Sequence, residues 1–480
     1  MLIRENHAGN AMPLGTLGVQ LLIVTIAVAV AALVVAQPAL LIPAIGLTLA
    51  VTVFLNFDWF VYATIFLLPW SPFAGWKFPV RDISLIAHFV LFAGVWMLRR
   101  SRGESTKEWL LGSRLKQGVL LVGAIAATSL ALGPPANSGT YPALAKMLSY
   151  IALFFAFIGW LKTPEQLVRA AKILFISTLG VCLFGFYQAF EQDFTALYFR
   201  LYPFEEANFD AQGGWAGRIT SLFFHYNSLA GYLSAVAPLA LGATVLAKDR
   251  WLRYLGFLAL TAAIAAVYLT GSRGGMAACA GVLFLGVWYL SPRRTTLAIV
   301  ISSLILAAAI ALPLAPAEAG GSRLQGVDDF TRESRLALWG AAGAMFLQHP
   351  ILGVGFGNYK FLMHDYIPGL TDDLDAHNLY LQWLAETGIV GFAVFFLIMG
   401  SFTRIGLRLR KAADPVYRMW GIGLCGAIVA TLIHGLVDYI FNVSPQFGNL
   451  FWLLLALGLC ASEMWRKQSA PLSRGMAAAR

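Results

Sequence analysis

Charge is scarce in this chain. Asp, Glu, Lys and Arg make up 12% of the 480 residues, against roughly 25% in soluble globular domains. A soluble fold is therefore disfavoured, the more so because 59% of the residues are hydrophobic. Cysteine is scarce too: Cys182, Cys279, Cys425 and Cys460 each lie alone in an apolar segment, which argues against a disulfide framework and against a zinc site. His225, His364 and His434 lack the helical spacing to Asp or Glu that a two-ligand metal motif needs, so no metal is expected. The net charge of +10 comes from short basic loops rather than one patch with interleaved aromatics, so no nucleic acid is expected as a partner.

Long apolar runs stand where charge is missing. A hydrocarbon core of about 30 Å needs about 20 apolar helical residues to cross it. Such runs recur near 15–36, 39–56, 59–75, 83–98, 117–133, 142–161, 172–190, 221–247, 254–270, 274–290, 295–314, 388–403, 419–437 and 446–462. They predict an all-α polytopic membrane protein of about 12 to 14 transmembrane helices, read as one membrane domain over residues 1–480. The first run is too long for a signal-peptide core and is expected to remain as a helix. By parity, the loops with Arg99, Arg100, Arg102, Lys107, Arg114 and Lys116, with Lys248, Arg250 and Arg253, with Arg293 and Arg294, with Arg404, Arg408, Arg410 and Lys411, and with Arg466 and Lys467 share one side. The positive-inside rule makes that side cytoplasmic, with both termini on it. The last stretch, 463–480, reads as a short cytoplasmic tail whose alanine-rich end from Pro471 is expected to be disordered.

Two long loops face the other compartment, 191–220 and 315–387. Periodicity in the second predicts a helix over 331–348 stopped by His349 and Pro350, then turns at glycines 353, 355 and 357. Those glycines have the wrong spacing for a dinucleotide fingerprint. A further helix is expected to open near Asp375 or Ala376 and to stop near Thr387 and Gly388, so that the loop forms a helical lid over the bundle. With Asp375 as N-cap, His377 would fall in the first helical turn, whose dipole disfavours imidazolium. A neutral histidine is a usable general base. The alternative is a surface histidine that only caps a helix.

Arginines on the same side form a complementary set: Arg218, Arg273, Arg323, Arg332 and Arg335. Arg273 stands between two apolar runs with almost no loop around it, which places it at the membrane interface, where an unpaired charge is costly. Guanidinium binds phosphate bidentately, so several arginines on one face could hold the diphosphate of a lipid whose tail stays in the bilayer. A carboxylate partner such as Asp438 or Glu386 is the competing reading for Arg273 and Arg335, and an interfacial side chain that merely reaches water is the competing one for Arg218 and Arg323. A transporter would show buried carboxylates mid-span and two repeated halves. Neither is evident here.

The ordered series of motifs resembles the O-antigen ligase and polymerase superfamily of bacterial envelope glycosyltransferases. The series comprises RITSLFFHYN at 218–227, GSRGG at 271–275, Arg335 with Trp339, HPILGVGFGN at 349–358, AHN at 376–378 with Leu381, Glu386 and Gly388, and HGLVDY at 434–439. The resemblance covers about residues 170 to 460. It implies a GT-C-like, inverting, metal-independent transferase of the bacterial inner membrane, without a cofactor, that takes a glycan from undecaprenyl diphosphate at the periplasmic face. In that picture His377 is the catalytic base, Arg273, Arg335 and Arg218 bind the diphosphate, and Asn378, Tyr380, Glu386 and Asp438 are supports or acceptor contacts. The acceptor is expected to be lipid A-core, as in ligases, with a second lipid-linked glycan, as in polymerases, the alternative. With only about eighteen residues after the last span, a protein-glycosylating relative is disfavoured.

Overall fold

The computed structural model describes residues 57–70, 83–136, 139–191, 217–223, 225–290, 323–370 and 373–478, and it leaves side chains undescribed at 83–84, 323–334, 442–443 and 470–478. The predicted spans 15–36, 39–56 and 295–314, and nearly all of the 191–220 loop, lie outside the described residues. The chain divides into two compact units, Met1–Thr64 and Ile65–Arg480. Apart from residues 57–64, the described residues belong to the second.

Only helices and turns occur among the described residues. In chain order they are α1 (Phe57–Leu67), α2 (Ile83–Ser101), α3 (Thr106–Leu111), α4 (Arg114–Leu132), α5 (Tyr141–Trp160), α6 (Pro164–Glu191), α7 (Tyr226–Leu246), α8 (Arg250–Leu269), α9 (Arg273–Leu290), α10 (Arg323–Gln348), α11 (Tyr359–Leu362), α12 (Leu379–Leu409), α13 (Pro415–His434), α14 (Ile440–Val443) and α15 (Pro445–Ala478). Among the described residues nine of these are long and apolar enough to cross a membrane: α4 to α9, α12, α13 and α15 over Pro445–Ser469. The protein is a polytopic helical membrane protein. The tail expected to be disordered instead continues α15 to Ala478, in keeping with the low cost of extending a helix that is already nucleated.

Polar caps start the helices where the sequence leaves an apolar run. Ser113 accepts from Lys116 N at 3.3 Å, Asp249 from Leu252 N at 2.8 Å, and Asp414 from Val416 N at 2.9 Å ahead of Pro415. Each satisfies a backbone donor that has no helical partner. Helix α7 forms the centre, packed against α8, α9 and α13, while α12 packs on α13, α4 and α10, and α5 on α2 and α15. Alternation of helix direction gathers the basic loops at one end of the bundle, where Lys116 pairs with Glu463 at 3.1 Å and Lys172 with Asp249 at 2.8 Å. The starts of α7, α9 and α12 and the end of α13 meet at the other end.

At that second end, the segment after α10 folds back on α12. Helix α10 stops at Gln348 as expected, and glycines 353, 355 and 357 all adopt positive φ. Val354 N donates to Ala385 O at 2.8 Å, Gly355 N to Glu386 O at 3.1 Å, and Ile389 N to Pro350 O at 2.8 Å. Helix α12 breaks where the sequence places its stop, at Gly388, with φ +60° and ψ −166°. A Cβ there would collide with the Ile351 carbonyl. Gly388→Ala thus combines left-handed strain with a backbone clash, and we expect it to destabilise the protein by about 2 kcal/mol or more, read as a lowered unfolding midpoint in detergent.

Candidate active site

The catalytic candidate is positioned by its own loop. Helix α12 opens at Leu379, and its N-cap is Asn378 rather than Asp375: the Asn378 amide oxygen accepts from Tyr380 N and Leu381 N, both at 3.0 Å. His377 therefore precedes the helix instead of lying in its first turn. Its φ is +45°, a conformation uncommon outside glycine. Two bonds hold it there by docking the loop onto the end of α13, Leu379 N to Gly435 O at 2.7 Å and Asn378 Nδ2 to Leu436 O at 3.0 Å.

This docking sets the His377 ring against Asp438, with Nδ1 3.0 Å from Oδ1 and side chains 29% and 5% exposed. The Asp438 carboxylate also accepts from Tyr439 N at 2.8 Å through Oδ1 and from Asn227 Nδ2 at 2.7 Å through Oδ2. Asn227 Oδ1 in turn accepts from Ser272 Oγ at 2.7 Å. Beside it His225 caps α7, its Nδ1 accepting from Asn227 N at 3.0 Å, which makes His225 a neutral ring. Burial holds its pKa down to about 4.

Electrostatics at His377 run opposite to the reading from the helix dipole. Burial pushes its pKa down, yet the bond to Asp438 and the charges of Asp438 and Asp375 outweigh burial and the opposing charge of Arg335, so the net shift is upward. The dipole argument fails because Asn378 already caps the first turn and a carboxylate faces the ring directly. Burial pushes Asp438 upward, but the His377 bond, with the electrostatic influence of His377, His434 and His225, holds it well below the usual carboxylate range.

The described arginines of the expected set lie on segments that reach the same end of the bundle. Arg218 lies over the Tyr226 ring at 4.5 Å, and a Cβ on Gly271 would be 3.2 Å from its Nε. It therefore flanks the turn that leads into Arg273, the first and exposed residue of α9. Arg335, on α10, is half-buried, with Nε in no hydrogen bond, and its charge reaches His377. The side chains of Arg323 and Arg332 lie outside the described residues. Asp438 bonds to His377, Asn227 and Tyr439 N, and Glu386 to Gln382 and Tyr359 N.

Of the other residues expected as supports or acceptor contacts, three hold the scaffold. Asn378 caps α12. Tyr380 donates to Leu432 O at 2.9 Å and stacks on Phe396. Glu386, 2% exposed, accepts from Gln382 Nε2 at 2.9 Å and Tyr359 N at 3.4 Å. Gln382 also takes Ala376 N at 2.7 Å and donates to Asp375 at 3.2 Å, clamping the residues just before His377. Asn227, Ser272 and Gln382 were not singled out from the sequence. The first two lie inside the motifs above, but nothing local tells that Asn227 bonds to Asp438 and Ser272 to Asn227. Among the described residues no three His, Cys, Asp or Glu side chains form a metal-binding group.

The pair implies a pH signature. Asp438, with its lowered pKa, contributes stability that is present above the ordinary carboxylate value and is lost as pH falls. His377, with its raised pKa, contributes stability that is full below its ordinary value and is lost as pH rises through the raised one. Asp438→Asn should lower the His377 titration midpoint, measured by NMR on histidine-labelled protein. A midpoint that stays or rises would contradict this account.

No curated protein matches the chain. Residues 258–396 do match a family model described as O-antigen ligase, a stretch that contains Arg273, Arg335, the 353–357 turns and His377 and stops short of Asp438. That family covers glycan transfer of the O-antigen ligase and polymerase type and implies lipid-linked glycan substrates held in the membrane. The matched stretch, from within α8 into α12, is therefore similar to that family, and the motifs of the resemblance stand in order along it.

Proposed function

We propose that this protein is an inverting glycosyltransferase that moves a glycan from undecaprenyl diphosphate to an acceptor hydroxyl, and that it acts as an O-antigen ligase on lipid A-core. The observation that carries this reading is the 3.0 Å contact between His377 Nδ1 and Asp438. With Nδ1 committed to the carboxylate, Nε2 is the atom that takes the acceptor proton, and Asp438 stabilises the imidazolium that results. As that proton leaves, the acceptor oxygen bonds to the anomeric carbon, the bond from that carbon to the diphosphate oxygen breaks, and its electron pair stays with the diphosphate. Arg273, Arg335 and Arg218 compensate the charge of the leaving group, which supplies electrostatic stabilisation at the point where charge develops. Positioning of two bound substrates provides much of the remaining rate.

Sidedness supports the same reading. The basic loops among the described residues gather at the end of the bundle opposite His377 and Asp438, which under the positive-inside rule supports a site at the periplasmic face of the inner membrane, with both termini cytoplasmic as the sequence parity expects. The folded segment before α12 then serves as the periplasmic lid.

The test is transfer by purified protein in liposomes containing undecaprenyl-diphosphate glycan and lipid A-core, with EDTA present. Glycan-modified lipid A-core is expected, the rate rising with pH as His377 loses its proton. His377→Ala should express normally and transfer roughly 100- to 10,000-fold more slowly. Elongated lipid-linked glycan without core modification would make the protein a polymerase instead, and no turnover on either acceptor would overturn the assignment.

A further inference from the structure

Three buried side chains join two parts of the site that lie far apart in sequence. Asp438 follows α13, Asn227 is in the first turn of α7, and Ser272 immediately precedes Arg273 at the start of α9; they are 4%, 9% and 2% exposed. Ser272 Oγ donates to Asn227 Oδ1 at 2.7 Å, and Asn227 Nδ2 donates to Asp438 Oδ2 at 2.7 Å. The direction of the bonds is fixed: a carboxylate can only accept, so the amide must turn its NH2 toward Asp438 and its oxygen toward the serine hydroxyl. Ser272 Oγ also accepts from Gly275 N at 3.1 Å, which ties it to the first turn of α9. One continuous run of hydrogen bonds thus leads from the helix start that carries Arg273 to His377 Nδ1.

We propose that Asn227 and Ser272 are positioning residues: together they form a hydrogen-bonded strut that holds the His377 and Asp438 pair at a set distance from the turn bearing Arg273. The inference rests on the reading of His377 as base and Arg273 as diphosphate ligand. An inverting displacement needs nucleophile, anomeric carbon and leaving oxygen nearly in line, so base and leaving-group site must keep one spacing. A misplacement of about 1 Å costs on the order of 100-fold in rate. These groups approach from α7, α9 and the end of α13, and van der Waals packing among apolar helices does not fix a spacing as finely as directional bonds do. Asn227 also tunes the pair. By donating to Oδ2 it moderates the negative charge that Asp438 presents to His377.

The experiment uses the full-length protein with Asn227→Leu, Asn227→Asp, Ser272→Ala and Ser272→Thr. Asn227→Leu keeps the branching of the side chain, with somewhat greater bulk, and removes both bonds. It should lower kcat roughly 10- to 100-fold, in the range seen when an orienting partner is lost, and change the donor KM less than about twofold. Its His377 midpoint, followed by NMR, should move to higher pH, because the undamped Asp438 charge favours imidazolium. The titratable groups facing His377 are Asp438, Asp375, Arg335 and His225, and those facing Asp438 are His377, His434 and His225; all are retained. Asn227→Asp can restore a donor toward Asp438 only while protonated, so its activity relative to the native protein should fall as pH rises. Ser272→Thr, which keeps the hydroxyl, should retain more activity than Ser272→Ala at equal unfolding midpoints.

A merely structural role would lower the unfolding midpoint and leave the His377 titration and the pH dependence where they were. That result would overturn the proposal. Because the titration requires no turnover, the strut can fail while native protein still transfers glycan, and it can hold in a protein that proves to transfer nothing.

Discussion

A carboxylate withdrawn from water at the end of a membrane bundle must be compensated on the spot, and the way Asp438 is compensated organises this site. An isolated buried charge costs several kcal/mol even after relaxation. Asp438 receives a ring N–H from the loop before α12, an amide N–H from α7 and the backbone N–H of its own neighbour. Each bond therefore fixes a different segment. Apolar packing sets which helices are neighbours in the bundle, but helices of this composition can slide or turn with little change in buried area. The carboxylate does not permit that, because a small displacement of α7 or of the His377 loop leaves a charge unmatched.

The irregular chain beside it obeys the same rule for the backbone. Non-helical backbone near a membrane is tolerated only where protein or water satisfies its polar groups. Here the turns after α10 give their N–H groups to carbonyls freed by the break at Gly388, and Pro350 O accepts in return from Ile389 N. The break and the turns are two halves of one device, which explains why both need glycine. From it the Glu386, Gln382 and Asp375 side chains carry the order forward to Ala376 and His377. The strained φ of His377 is thus held from behind by this clamp and from ahead by the Asn378 cap.

This division explains what could be read from the chain alone. Apolar runs, the end of α10 at His349, the glycine turns and the break at Gly388 are local consequences of residue type, and they stand where the sequence puts them. His377 was identifiable as a lone ionisable ring in a polar stretch next to a helix start. Its electrostatics were not, because the group that governs them is 61 residues away and reaches it only after α12 and α13 have packed. Asn227 and Ser272 were hidden for the same reason: as an asparagine near a helix start and a serine in a turn, each looks like an ordinary cap. A polar residue at the mouth of an apolar helix carries a signal in sequence that something must satisfy it, but not what.

The opposing influences on His377 carry one more consequence for the proposed reaction. Asp438 and Asp375 raise its basicity, while Arg335 lowers it. The arginine therefore restrains a base that the carboxylates would otherwise make stronger. A diphosphate bound to Arg335 offsets that positive charge at the ring and adds negative charge nearby, and both changes favour the imidazolium that forms as the acceptor loses its proton. Donor binding and proton uptake are then linked, and by reciprocity a protonated His377 holds the diphosphate more tightly. An arginine whose charge opposes the proposed base works against it when taken alone, yet in a site whose proposed substrate brings its own charge the arrangement makes that base strongest once the diphosphate is bound.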